Sequence, residues 1–446
     1  VELMPIYEFE EVPVQKEFQV PDYVKWQPDS QDMIQPVILD KTEKQLNMWG
    51  YGDGNYFAVK SSYAAEPAKA STEFKKLVKA LHENGMECVM EIFFPESTSH
   101  VFIMDVLHFW SKEYHVDGFH LIGSNLPIGS IVHDPLLSRT KIFTDTFNGE
   151  FDARRKYKNL FIYKEEYQFP VRMLLNHYDT DIKEFANQQR KQDINYGYVN
   201  FLASNNGFTL ADVFAYSEKH NEANREDNKD GSDYNLSYNF GVEGPSKKRF
   251  VNDIRRKRMH LAFEMLMYGQ GVPLIMAGDE FGNTQLGNNN AYCQDNEIGW
   301  VNWSLFNKYR EDREFIKSLI AFRKDHKVIV KAEPYRFTDY RSVGAPDYSY
   351  HGENAWISQI DHGRKSLGVM YCGAYAKDEE DKTDIYIGYN LYANEVRLAL
   401  PILPNKKWTL DGVVLEDQMY VTVVPHSVAV LMTKEVPQEK KTKKKK

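Results

Sequence analysis

The chain has 446 residues and a mass of 52.0 kDa, room for one large α/β barrel and a smaller domain. Hydrophobic residues make up 42% and charged residues 27%, a globular balance that excludes a disordered chain. The formal charge is −9, but the last seven residues hold six lysines; the rest carries 49 basic against 64 acidic groups, which does not suit nucleic acid.

The start, Val1–Phe9, lacks the basic region and apolar core of a signal peptide. No apolar run reaches the ~20 residues that span a bilayer, so no membrane partner is expected. Ser71–Gly85 has helical spacing, with Ser71 as cap, Phe74, Leu77, Val78 and Leu81 on one face, and Gly85 as the stop. Cys88–Phe94 reads as a buried strand interrupted by Glu91. Val101–Tyr114 is a second helix, and Phe119–Ile122 a second strand after a turn at His115–Gly118. Ile142–Thr144 and Tyr198–Ala203 are further strands, with a helix predicted over Val171–Lys191 between them. Ile254–Tyr268 is a strong helix, and Leu274–Ala277 a strand. Strands alternating with helices predict a parallel sheet, and over some 300 residues a (β/α)8 TIM barrel.

After Lys324 the pattern changes to short β-like runs: Ser366–Tyr371, Thr383–Tyr389, Val396–Leu400, Trp408–Leu410 and Ser427–Met432. These predict an antiparallel β-sandwich over residues 325–436, following a barrel over 1–324. The lysine-rich end, 437–446, is expected to be disordered. The polar block Asn221–Gly244 is too long for a plain connection, so it is either a functional loop or disordered. Cys88, Cys293 and Cys372 fit neither a disulfide framework nor a zinc motif, which points to a cytoplasmic setting.

Functional groups of such barrels sit at the C-terminal ends of the strands. Glu96 follows the first of these strands and Ile122 ends the second. Asp145 follows the third, Asn205 and Asn206 the fourth, and Asp279 and Glu280 the last. Only Asp145 stands at the centre of this set as a carboxylate.

Several blocks resemble glycogen debranching enzymes and isoamylases of the α-amylase superfamily, glycoside hydrolase family 13. They are VELMPIYEF at Val1–Phe9, WGYGDGNYFAVKSSYA at Trp49–Ala64 and GFTLADVFAYSEKHNEANREDNKDG at Gly207–Gly231. GDEFGNTQLGNNNAYCQDNEIGWVNW at Gly278–Trp303 and PDYSYHGENAW at Pro346–Trp356 complete the set. The resemblance spans nearly the whole chain. It implies α-1,6 cleavage in α-glucans such as glycogen or amylopectin, with no metal or organic cofactor. It also makes Val1–Pro5 the second strand of the barrel. The first strand and an N-terminal sandwich are then missing, and we expect the chain to be a fragment.

The departures fall on the chemistry. Against the family's D-V-V-x-N-H the chain has Glu91–Glu96. In its G-F-R-F-D the Asp is the nucleophile and the Arg its support; here those positions are Ile122 and His120. The family's acid, a Glu in I-A-E-P-W, is Asp145. Its T-A-H-D-G, whose Asp stabilises the distorted sugar, is Ala203–Gly207, with Asn205 and Asn206 at the His and Asp places.

Retention requires one carboxylate to attack the anomeric carbon and another to protonate the leaving oxygen. Ile122 has no lone pair, Asp145 is one methylene short, and Asn206 cannot stabilise positive charge as a carboxylate does. Glu91 and Asp117 read as structural, and His120 as a space filler with no companion metal ligands. Trp49 and Tyr51 divide evenly between core packing and stacking on a glucosyl ring. Asp279 and Glu280 read as scaffold, and Asn288–Asn290 as a loop rigidified by side-chain hydrogen bonds. We expect an α-glucan protein without hydrolytic activity, acting by glucan binding or by regulating glycogen or starch metabolism. The alternatives are an active debranching hydrolase using Glu91 or Glu96 with Asp145, and a structural partner of an active paralogue.

Overall fold

The computed structural model describes residues 1–11, 46–147, 149, 158–361, 363–377 and 382–436; the lysine-rich end lies outside them. Two compact units result. One comprises Val1–Asn159, Glu222–Lys229 and Ala291–Trp300, the other Leu160–Asn221, Asp230–Asn290 and Val301–Lys446.

In the first unit β1 (Glu2–Leu3) leads to β2 (Tyr7–Phe9), which pairs antiparallel with β3 (Gly54–Val59). Then α1 (Ala70–Glu83), β4 (Val89–Phe93), α2 (His100–Tyr114), β5 (Gly118–Ile122), α3 (Ile128–His133) and β6 (Lys141–Thr144) alternate. β1, β4, β5 and β6 are neighbouring parallel strands. Ser71 does not cap α1. The helix starts a residue earlier, and the Glu73 carboxylate holds the entry by accepting from the Ala65 and Glu66 amides. α2 does carry a side-chain cap, Ser99, and ends on His115 in the left-handed region. The helices are pinned by aromatic packing: Phe74, Trp110 and Tyr114 meet, and the Trp110 indole donates to the Tyr56 carbonyl at 2.8 Å.

The second unit supplies β7 (Leu160–Lys164), α4 (Glu165–Leu175), α5 (Lys183–Gln189), β8 (Gly197–Phe201), α6 (Leu210–Val213), α7 (Arg249–Met267) and β9 (Val272–Leu274). β7, β8 and β9 are parallel neighbours. Two expectations change here. Val171–Lys191 is two helices, because Asn176 caps the first and His177 turns left-handed at φ 64°. The last strand lies at Val272–Leu274 rather than Leu274–Ala277.

After α8 (Leu305–Lys308) and α9 (Arg310–Asp325) the chain becomes antiparallel. Its strands are β10 (Tyr348–His351), β11 (Ser366–Tyr371), β12 (Ile385–Asn390), β13 (Val396–Ala399), β14 (Lys406–Leu410), β15 (Val413–Val414), β16 (Tyr420–Val423) and β17 (Ser427–Glu435). Six form one sheet in the order β10-β11-β12-β17-β14-β15, and β13 pairs with β16. Leu398, Val421 and Val423 of the small sheet pack with Met370, Tyr386, Trp408 and Leu431 of the large one, giving a sandwich core. The other face of the large sheet joins the helices through tyrosines whose hydroxyls reach main chain. Tyr371 donates to the Tyr268 carbonyl at 2.8 Å and Tyr350 to the Ala186 carbonyl at 2.7 Å. Much of the aromatic content therefore serves the core.

With a seven-stranded sheet and its helices, and then an antiparallel domain, the fold is an incomplete (β/α)8 barrel followed by a β-sandwich, as expected from the sequence. Among the described residues no helix is long and apolar enough to cross a membrane. The block Asn221–Gly244 is an ordered loop. The Asn221 amide donates to the Asp230 carbonyl and to Asn289 Oδ1, both at 2.9 Å. Asn289 Nδ2 donates to the Ser232 carbonyl at 2.7 Å and Asn235 Oδ1 at 2.8 Å.

Candidate functional site

Side chains alternate along β4 and β5, so each strand shows one face to the helices and one to the barrel interior. Met90, Ile92, Phe119 and Leu121 fill one face. Glu91 and Phe93, with His120 and Ile122, belong to the other. The register sets Glu91 opposite His120 and Phe93 opposite Ile122. Glu2 on β1 reaches this layer from the neighbouring strand, and Asp145 enters from the end of β6.

These groups meet. His120 Nδ1 lies 2.8 Å from Glu2 Oε1, and Nε2 lies 3.5 Å from Asp145 Oδ1. The Tyr51 hydroxyl donates to Glu91 Oε2. Glu91 and His120 are 8% and 7% exposed, whereas the Asp145 side chain is 66% exposed. Burial raises the Glu91 pKa, and the nearby imidazole and the Tyr51 hydrogen bond offset this only in part. Burial alone would discharge His120. Hydrogen bonding to Asp145 and Glu2, with the charges of Glu2 and Glu91, outweighs it and pushes the pKa up to about 9. His120 is therefore the hub of this cluster, with a carboxylate at each ring nitrogen. The companions that the sequence did not reveal are Glu2 and Glu91, and one ligand-capable atom from each of the three lies within 4.8 Å of the others.

The other predicted residues separate from this cluster. Ile122 ends β5, half-buried. Gly123 follows at φ 149°, where an added Cβ would come within 2.4 Å of the Phe94 carbonyl oxygen, so the turn after Ile122 is fixed. Glu96 is exposed, and its main-chain carbonyl accepts from Asn125. Asp117 is structural, accepting from the Cys88 amide and pairing with His82. Asn205 and Asn206 follow β8 in the second unit, half-buried and exposed respectively.

Trp49 and Tyr51 lie on a fixed loop. Asn47 Oδ1 accepts from the Trp49 and Gly50 amides at 3.1 Å, and the Tyr7 hydroxyl donates to the Gly50 and Gly52 carbonyls at 2.9 Å. Tyr292 and Glu226 complete this corner and were missed in the sequence. Trp49 meets Tyr51 edge-on at 6.0 Å and Tyr292 at 6.4 Å, and the Tyr292 hydroxyl donates to Glu226 Oε1 at 2.5 Å. Their signal was an aromatic residue close behind the asparagine run.

No family model matches the chain. Among curated proteins it is similar to a glycogen operon protein GlgX homolog of Mycobacterium bovis, 30% identical over 370 residues, covering 66% of this chain and 51% of that protein. A glycogen debranching enzyme of an Enterobacter species is 28% identical over 328 residues, covering 58% and 50%. The chain spans about half the length of the curated relatives it matches. Among solved structures, a pullulanase from Bacillus acidopullulyticus superposes with TM-score 0.63 at 16% identity, over 97% of this chain and 54% of that one. A mutant pullulanase from Paenibacillus barengoltzii, complexed with maltotetraose, gives 0.65 at 17% identity, over 98% and 69%.

Incomplete barrel and sandwich thus give the chain the fold of these solved pullulanases. In sequence the chain is similar to glycogen debranching enzymes and GlgX homologs, at about 30% identity over about 60% of its length.

Proposed function

We propose that this protein is an α-glucan-binding member of the debranching family that does not hydrolyse glucan, acting in glycogen or starch metabolism. Ile122 carries the proposal. A retaining pair needs two carboxyls about 5–5.5 Å apart across the scissile bond. The carboxylate on the same inner face, Glu91, sits two residues below the register of Ile122, about 6.6 Å deeper at the usual strand rise. It is also buried and engaged by Tyr51. Asp145 then has no nucleophile to work with. Binding is supported by the half-buried Trp49, Tyr51 and Tyr292, since flat rings can stack on a glucosyl face without catalysis.

The domain layout that goes with this function is a barrel over 1–324 and a sandwich over 325–436, supported by the end of α9 at Asp325. A cytoplasmic site of action is supported by three free cysteines.

Incubation with glycogen, amylopectin and pullulan should release no reducing ends. Affinity electrophoresis in glycogen should retard the protein, and Trp49→Ala should weaken binding about tenfold. Turnover that Asp145→Ala abolishes would replace this function with a hydrolytic one.

A further inference from the structure

Glu2, Glu91 and His120 come from three adjacent parallel strands and converge on one point. Two of the three are buried, and the groups acting most strongly on them are carboxylates, a phenol and each other. A set of this kind needs positive charge, supplied either by retained protons or by a cation.

We propose that Glu2, Glu91 and His120 bind one divalent transition-metal ion of the Zn²⁺ class. The inference goes beyond the glucan function and does not depend on it. The donor set selects the class. An imidazole with two carboxylates suits Zn²⁺ and its neighbours, whereas Ca²⁺ takes six to eight oxygens and Mg²⁺ prefers oxygen and water.

The three ligand atoms, within 4.8 Å of one another, would draw in on binding. Metal–ligand bonds of about 2.0–2.1 Å place neighbouring ligand atoms about 3.3 Å apart in a tetrahedron. The 2.8 Å between Glu2 Oε1 and His120 Nδ1 would open by about half an ångström on losing its shared proton. Glu91 Oε2 already accepts from Tyr51, and His120 Nε2 faces Asp145 Oδ1 at 3.5 Å, which leaves Glu91 Oε1 and His120 Nδ1 for the ion. Three protein ligands leave a position for water or a hydroxyl.

The test uses the full chain, stripped with chelator and titrated by calorimetry with Zn²⁺ and by visible absorption with Co²⁺, with no glucan present. One equivalent should bind with micromolar or tighter affinity. His120→Ala and Glu91→Gln should each lose at least 100-fold, Asp145→Asn about tenfold, and the exposed Glu96→Gln nothing. If His120→Ala fails to fold, the near-isosteric Glu91→Gln carries the test. Pulsed electron paramagnetic resonance of Mn²⁺ in the wild type should also show coupling to an imidazole nitrogen. The proposal is overturned if the stripped wild type binds no metal or if Glu91→Gln binds undiminished. It is equally overturned if Ca²⁺ binds as tightly as Zn²⁺ or if no nitrogen coupling appears. Loss of glucan binding leaves every one of these readouts unmoved.

Discussion

Two sets of buried polar residues differ in what satisfies them. In the second unit the partners are largely main chain. Asp212 accepts from the Gln285 amide at 2.8 Å, the Gly287 amide at 3.4 Å and the Thr284 hydroxyl, and Asp279 accepts from the Leu210 amide at 2.9 Å. In the first unit Glu2, Glu91, His120, Asp145 and Tyr51 satisfy one another through ionisable side chains. A main-chain partner is present whatever the neighbouring residues are, so such a set survives as long as the loop does. A side-chain set depends on every member's identity and can change only together. On the proposed function, that contrast accounts for changes gathered at His120, Ile122 and Asp145, in or beside the side-chain set.

The largest test of the contrast is titration of the scaffold. Burial raises Asp279 to about 8, with the Leu210 hydrogen bond and the Arg172 charge pulling the other way. Between about pH 4 and 8 the folded state keeps a proton that the unfolded state has lost. Stability is therefore full below pH 4 and falls as pH rises towards 8, by up to about 1.4 kcal/mol per unit from this group. Urea unfolding of the wild type and Asp279→Asn should differ in that slope. Equal slopes would mean that Asp279 is ionised in the fold.

Next in size, Asp212→Ala strands two amides and a hydroxyl, and Asn289→Ala strands donors and acceptors on three loop residues. Each should cost about 3 kcal/mol in the same measurement. Tyr51→Phe in the first unit removes one hydrogen bond and should cost about 1 kcal/mol.

Periodicity made part of this legible. α1, α2 and α7 carry long apolar stripes, and β4, β5 and β6 are short apolar runs set off by turns, so their predicted bounds fall close. β7 was missed because LFIYK runs directly into α4 at Glu165 with no breaker. β10, YSYH, is too short and too polar to stand out, although all four of its residues are buried. The strand-end positions Ile122, Asp145 and Asn206 could be read one by one. The cluster could not, because His120 and Glu2 are 118 residues apart and only parallel pairing through β4 joins them.

Restoring the family's residues addresses function directly. Ile122→Asp adds a carboxylate to a half-buried position one layer above Glu91 and His120, at a stability cost of about 1–2 kcal/mol. Alone it should release no reducing ends, since the acid and the supporting arginine are still missing. Combined with His120→Arg and Asp145→Glu it should gain measurable turnover on pullulan. Turnover by the single variant would confine the proposed inactivity to position 122.

The smallest effect expected is that of Asp145→Asn on stability. Asp145 is, like Asp212, a carboxylate with polar partners, but two thirds of its side chain is exposed and His120 Nε2 is 3.5 Å away. Solvent screens such a pair, and water replaces whatever the substitution removes, so the unfolding midpoint should shift by less than about 1 kcal/mol. Asp212→Ala, with its amide partners in the interior, should cost several times more. If the two losses came out equal, Asp145 would be holding the strand ends together as firmly as Asp212 holds its loop. The side-chain cluster would then have to be counted as scaffold, and its departure from the family's residues would need a structural cause.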